Sequence, residues 1–294
     1  MSALSYAAAN VLRLLPRAKI GRAVGQIAEL PWAPSIERAV VGAYSRFYDV
    51  QLDEAAQSSG WTSFDEFFTR PLRGGARVVD AAPEAVVSPS DGRLDSELVV
   101  DDRARFVVKG RPYRVDELLG SEEDAQRYRG GLGCVIYLSP RDYHRVHAPV
   151  GGVVHRIRSL EGDFFPVNDV GVAHVPNLLA RNRRVAIAID TPEGAGLGRV
   201  TVVMVAAIIV GRITVSGVDA RDVPYGQHTF DPGREVKRGD EIGVFHLGST
   251  AVVLLEARAR AEWAVAAQMH VHYGQRLLTA HATDGRWTPG PGVG

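Results

Sequence analysis

The 294-residue chain carries 34 basic and 34 acidic residues, a formal net charge of zero, and is 46% hydrophobic and 23% charged. It is long enough for one large domain or one domain with an extension, and no global positive field draws it to nucleic acid. The single cysteine, Cys134, excludes an intrachain disulfide and a thiolate metal cluster, and fits a reducing compartment.

The longest apolar run, Val200 to Val210, falls short of the roughly twenty residues a spanning helix needs. Rich in valine and isoleucine, it predicts a buried strand. The N-terminus lacks a compact apolar core followed by a small-residue cleavage site, so a secretory signal is not expected.

Residues 1 to about 50 predict helices. Leu4, Ala8, Val11, Leu12 and Leu15 recur at spacings of three and four, on one helical face that Pro16 interrupts. Ile20, Val24, Ile27 and Leu30 form the apolar side of a second helix, and a third runs from Pro34 or Ser35 to about Tyr48. Arg13, Arg17, Lys19, Arg22 and Arg38 outweigh Glu29 and Glu37 over the first forty residues. Apolar faces with such basic flanks either lie in a membrane interface or pack against the rest of the chain. Ser63 followed by Glu66 has the pattern of a capping box, opening a helix that Pro71 ends. Gly74-Gly75 and the Pro83 region read as a linker. A boundary is therefore expected between a helical part, residues 1–80, and a β-rich part, residues 81–294.

From Ala85 the pattern changes to short apolar runs punctuated by glycine and proline. Strands are predicted at Val86-Val87, 98–100, 106–108, 134–138, 153–157, 185–189, 200–210, 213–218, 242–245 and 251–255. Helical signals are confined to 115–119, 122–128 and 176–180. The expected class is α+β: a helical N-terminal region followed by a mostly antiparallel β-sandwich or barrel-like domain.

Three stretches hold the residues suited to chemistry. Ser88-Pro89-Ser90-Asp91-Gly92 is a β-turn pattern, and Asp91 has the side chain that orients and charges a histidine in a Ser-His-Asp arrangement. Tyr137 to Pro149 holds His144 and His147, three apart between prolines. Such a pair on a helix binds metal, but Pro140, Pro149 and the strand-like flanks oppose a helix, and no third ligand stands at a zinc-site spacing. The histidines are then either structural, or one is a general base near neutral pH. In Leu247-Gly248-Ser249-Thr250, a glycine and two hydroxyl residues lie between apolar runs, at a turn or strand entry. Gly248 has no side chain to shield its carbonyl, so Ser249 is either part of a turn or a nucleophile on the peptide bond before it.

In this order and at these spacings, Ser-Pro-x-Asp-Gly, Tyr-His-Arg-Val-His-x-Pro and Leu-Gly-Ser-Thr resemble the phosphatidylserine decarboxylases. The resemblance extends through Phe64-Asp65-Glu66-Phe67-Phe68-Thr69-Arg70-Pro71-Leu72 and takes in Phe164-Phe165-Pro166-Val167-Asn168 and Lys237-Arg238-Gly239-Asp240-Glu241-Ile242-Gly243. It covers nearly the whole chain beyond about residue 40.

The resemblance implies a proenzyme. His147, held by Asp91, would take the proton of Ser249, whose oxygen attacks the Gly248 carbonyl. Elimination and hydrolysis would leave residues 1–248 as one chain and residues 249–294 as another, headed by a pyruvoyl group made from Ser249. Phosphatidylserine would lose carbon dioxide through a Schiff base with that group to give phosphatidylethanolamine, with no pyridoxal phosphate and no metal. His144, or His147 in a second role, would reprotonate the product, and Arg141 and Arg145 are candidates to grip the phosphate. The two chains would stay together as a heterodimer, and the family pattern suggests a homodimer of that unit. A lipid substrate implies contact with a bilayer, so the basic, amphipathic N-terminus is expected to dock peripherally on the cytoplasmic face of the cell membrane. Two other readings compete. A lipoyl- or biotinyl-type carrier sandwich needs a lysine exposed in a tight hairpin, and none stands in a Met-Lys or Asp-Lys setting. An unprocessed hydrolase using Ser249, His147 and Asp91 would lack a Gly-x-Ser-x-Gly elbow.

Overall fold

The computed structural model describes residues 17–167, 171, 174–208, 212–256 and 259–282. The helix expected through Leu4 and Leu15 lies outside them. Helices occupy Arg17–Ala28, Pro34–Tyr48 and Phe64–Phe68. Pro34 stands in the first turn of its helix, where its missing N–H leaves no bond unmade. Ser63 caps the third helix, its Oγ accepting from the Glu66 N–H at 3.1 Å. The Glu66 carboxylate accepts from the N–H and hydroxyl of Thr62 instead of returning to Ser63, so the reciprocal half of the box closes one residue early. These helices are too short to be stable alone. Buried Val41, Trp61 and Phe67, with half-buried Trp32, Tyr44 and Phe64 packed edge-on, give them an apolar cluster of their own.

The rest of the chain is built from antiparallel strands: β1 (Ala85–Val87), β2 (Gly92–Val99), β3 (Arg105–Val108), β4 (Arg111–Arg114), β5 (Leu132–Leu138), β6 (Arg145–His147), β7 (Gly152–Leu160), β8 (Arg184–Asp190), β9 (Arg199–Ala206), β10 (Arg212–Val215), β11 (Gly226–Val236), β12 (Glu241–His246), β13 (Ser249–Leu255), β14 (Ala259–Trp263), β15 (His270–Val271) and β16 (Arg276–Ala282). Short helices at Val115–Leu119, Glu122–Gln126 and Leu178–Arg181 sit among them. This is the α+β class expected from the sequence.

Eight strands form one sheet, in the order β11-β7-β8-β9-β13-β5-β2-β15. Every residue of β13 is buried, as an unbroken apolar run requires if neither face meets water. It lies between β5 and β9, with Ser249 opposite Leu138 on one side and Ala206 on the other. β12 belongs to a different sheet, β10-β12-β6. The chain therefore changes sheets within Leu247 and Gly248.

Asn182 fastens the loop 164–167 to the end of β9. Its amide donates to the Phe165 and Ala206 carbonyls at 2.8 Å each, and its oxygen accepts the Phe165 N–H at 3.0 Å. The side chain is fully buried, so Asn182→Ala removes three hydrogen bonds to the backbone and should cost about 3 kcal/mol. Urea denaturation checks this; an unchanged midpoint would contradict the clamp.

Candidate active site

Ser249 is 1% exposed, and its Oγ has no hydrogen-bond partner among the described residues. With Leu247 and Gly248 it forms part of the wall of an apolar cavity of about 510 Å³, to which Val24, Ile27, Tyr44 and Phe68 also contribute. No charged side chain is among the described lining residues. Leu247 has φ 85°, a conformation that costs an L-residue on the order of 1–2 kcal/mol. Its side chain is held in that position by burial against Ala28 and Phe68. Gly248 is different: a Cβ built there would meet nothing within 4 Å, and its φ is not positive. Packing does not demand a glycine at this position. What the missing side chain provides is an unshielded carbonyl.

His144 stands behind Phe68, with ring centroids 4.0 Å apart. Its Nε2 lies 3.1 Å from the Ser139 carbonyl and must donate, which leaves Nδ1 as a lone-pair acceptor. That nitrogen is buried without a partner among the described residues. Ser139 follows Leu138, the residue opposite Ser249, and the His144 carbonyl accepts the Phe245 N–H at 3.0 Å. The turn that places the ring is set by Asp142, whose Oδ2 accepts the Ser139 N–H and hydroxyl at 2.7 Å each. Full burial pushes the His144 pKa down to about 3, so the ring is neutral.

His147 points into other company. Its Nδ1–H donates to the Gly239 carbonyl at 2.7 Å, and Nε2 accepts from the Tyr143 hydroxyl at 3.1 Å. The Lys237–Asp240 turn can aim that carbonyl because Gly239 takes φ 87°. Tyr273 stacks on the imidazole at 3.9 Å. Burial lowers the His147 pKa and raises that of Tyr143, which therefore keeps its proton.

The expected hydrogen bond between Asp91 and His147 is not formed. Asp91 accepts from Arg77 at 2.6 Å, from the Tyr273 N–H at 2.8 Å and from His272 at 3.4 Å. Burial alone would raise its pKa, but His272 and Arg77 hold it at about 2. The physical reason is that a buried carboxylate is better matched by a permanently charged guanidinium than by an imidazole kept neutral. Asp91 and His147 remain close neighbours. The His147 N–H donates to the Pro89 carbonyl at 2.7 Å, and Tyr273 touches both residues. No hydrogen bond joins Ser249 to either histidine.

The structure thus brings Gly248, Ser249 and, one ring behind, His144 to the cavity wall, and gathers Asp91 and His147 around Tyr273. Arg145 is committed to the Thr69 carbonyl and Glu241, both at 2.8 Å. Arg141 lines a separate polar cavity of about 260 Å³ with Arg70, Arg77 and Asp91. The sequence offered no signal for Tyr273 or Arg77. Tyr143 was visible within its motif, but nothing there marked its hydroxyl as the partner of His147.

A buried neutral histidine has a measurable sign. The unfolded chain takes up a proton as pH falls through about 6.5, whereas folded His144 resists down to about 3. Stability is therefore lost on acidification across that window, with a slope of up to about 1.4 kcal/mol per pH unit. Urea midpoints between pH 7 and pH 5 should fall less steeply for His144→Gln than for the unaltered chain; equal slopes would contradict the assignment.

The family model described as phosphatidylserine decarboxylase matches residues 64–279. Relatives named phosphatidylserine decarboxylase proenzyme include one from Psychrobacter arcticus, 36% identical over 91% of this chain and 96% of its own length. One from Myxococcus xanthus is 37% identical over 86% and 90%, and one from Acinetobacter baylyi is 39% identical over 83% and 84%. The order of the motifs, the antiparallel fold that sets Ser249 at the cavity wall, and these matches agree: the chain belongs to the phosphatidylserine decarboxylase family.

Proposed function

We propose that the chain cleaves itself between Gly248 and Ser249 and then decarboxylates phosphatidylserine to phosphatidylethanolamine at a pyruvoyl group formed from Ser249. The observation that carries this reading is Ser249 itself. Its unpartnered hydroxyl lies at the wall of a cavity with no charged side chain among its described lining residues, directly after an unshielded glycine carbonyl and a leucine held at positive φ.

In the cleavage, Ser249 Oγ bonds to the Gly248 carbonyl carbon, the C–N bond breaks, and the hydroxyl proton passes to the nitrogen. Loss of the Ser249 Cα proton with cleavage of the Cβ–O bond releases Gly248 as a carboxylate and leaves dehydroalanine. Water then replaces the nitrogen, which departs as ammonia. His147 is assigned the base: with Nδ1–H on Gly239, Nε2 is its basic atom, freed when the Tyr143 hydroxyl turns away. Asp91 stabilises the imidazolium across Tyr273. The pyruvoyl carbonyl supplies the electron sink that loss of carbon dioxide requires. The residues fit such a group, because a serine with an unpartnered hydroxyl stands at the cavity wall. His144, behind Phe68, is assigned to proton delivery to the product.

Both chains would remain one body, since β13 is bonded to β5 and β9 along its whole length. The lipid would arrive through the N-terminal helices. Ile27 is 64% exposed and Phe47 79% exposed, and Ile27 also lines the cavity. No helix among the described residues is long and apolar enough to cross a membrane. Peripheral docking with acyl chains passing between these helices accounts for both facts.

Carbon dioxide release from carboxyl-labelled phosphatidylserine in detergent micelles tests the reading. The unaltered protein should release it, and Ser249→Ala should release none; an active Ser249→Ala protein would contradict the proposal. His144→Ala should split into two chains yet turn over at least a hundredfold more slowly, whereas His147→Ala should stay whole. For docking, Ile27→Asp with Phe47→Asp should cut sedimentation with anionic liposomes at least tenfold while micelle activity persists. Unchanged sedimentation would count against the dock.

A further inference from the structure

We propose that Asp65, His246 and Leu247 are positioning residues for self-cleavage: through them the N-terminal helical layer grips the two residues before Gly248. The inference rests on the cleavage reading above and adds to it a set of residues outside the reacting atoms.

The grip has a polar half. His246 is buried, and its Nδ1–H donates to both Asp65 oxygens, at 2.8 and 2.9 Å. Its Nε2 accepts from the Thr214 hydroxyl at 3.2 Å. Arg212, directly opposite His246 on β10, donates to Asp65 Oδ2 at 2.6 Å and pairs with Glu29 at 2.9 Å. Arg221 also pairs with Glu29. Residues from two strands thus converge on one carboxylate of the helix Phe64–Phe68. Glu29, just beyond the helix Arg17–Ala28, ties that helix to the same cluster.

The apolar half is Leu247, seated against Ala28 and Phe68. Asp65 and Phe68 are three apart, so one turn of helix holds both consecutive residues, His246 by hydrogen bonds to the carboxylate and Leu247 by packing. On the far side of the scissile bond, Ser249 is fixed by its two ladders. Gly248 is the single joint between these anchors, and nothing lies within 4 Å of where its Cβ would be. Its carbonyl direction is therefore set by what holds Leu247 at φ 85°. Attack by Ser249 Oγ needs that carbonyl carbon held close and aligned, and a freely turning joint would lose the alignment. A merely structural role would fasten the helices without changing the cleavage rate.

The test follows chain splitting by intact mass in full-length protein freshly made by cell-free synthesis, with thermal melting in parallel. Leu247→Gly removes the peg and frees the backbone, and should slow splitting at least tenfold. Leu247→Met keeps the peg and should split within threefold of the unaltered rate. Asp65→Asn and His246→Leu should also slow splitting at least tenfold, and His246→Gln, whose amide can again donate to Asp65, should restore most of it. In Asp65→Asn and His246→Leu, which lie outside the cavity wall, the fraction that does mature should release carbon dioxide at the normal rate per cleaved chain. If the unaltered protein splits and Leu247→Gly splits as fast as Leu247→Met, the inference is overturned. Should Asp65→Asn fail to fold, the Leu247 pair decides, because it leaves the polar cluster intact. Failure of the unaltered protein to split would instead overturn the cleavage reading on which the inference stands.

Discussion

Between His246 and Ser249 the chain leaves a three-stranded sheet and becomes the central strand of an eight-stranded one, and it has two residues in which to do so. Much of the site depends on that short passage. Ser249 cannot shift, because its backbone is paired on both sides. Leu247 meets the geometric demand by taking positive φ, and the packing of Ala28 and Phe68 offsets the cost. Gly248 is left as an open joint with its carbonyl unshielded. A peptide bond placed between a fixed serine and a strained leucine is the one the account expects to break.

The same burial that fixes the serine sorts the histidines. His144, fully enclosed, is neutral and keeps a free lone pair. His147 is oriented by a backbone carbonyl and covered at Nε2 by a tyrosine hydroxyl. Asp91, with the strongest claim on a cation, takes Arg77. If His147 is the cleavage base, as proposed, this arrangement would hold it in reserve: a movement of Tyr143 would expose Nε2 without disturbing the turn at Gly239. His144 needs no such release, which would suit the proposed role in proton delivery on every turnover.

Much of this was legible in the chain itself. The Val/Ile-rich runs at 134–138 and 185–189 are strands because only a sheet buries them, the strand expected over 200–210 ends at Ala206 within the described residues, and Ser63 caps its helix as its spacing implied. Ser249 lies at a strand entry, as the change from Gly-Ser-Thr to an apolar run suggested. β11 was not legible: Asp231-Pro232-Gly233 interrupts it, and it survives by shifting register against β7 between Thr229 and Arg234. The Asp91 partnership was not legible either. Arg77 lies in the stretch that reads as a linker, and sequence spacing cannot weigh a guanidinium against an imidazole for one buried carboxylate. The strain at Leu247 is a tertiary property, invisible until two sheets are seen to meet there.

The central claim is that Ser249 becomes the head of a second chain, and intact mass under denaturing conditions tests it most directly. Two chains split between Gly248 and Ser249 are expected, with the smaller lighter by one ammonia than simple hydrolysis would leave it. A single chain that stays whole on long incubation, with Ser249 unmodified, would contradict it.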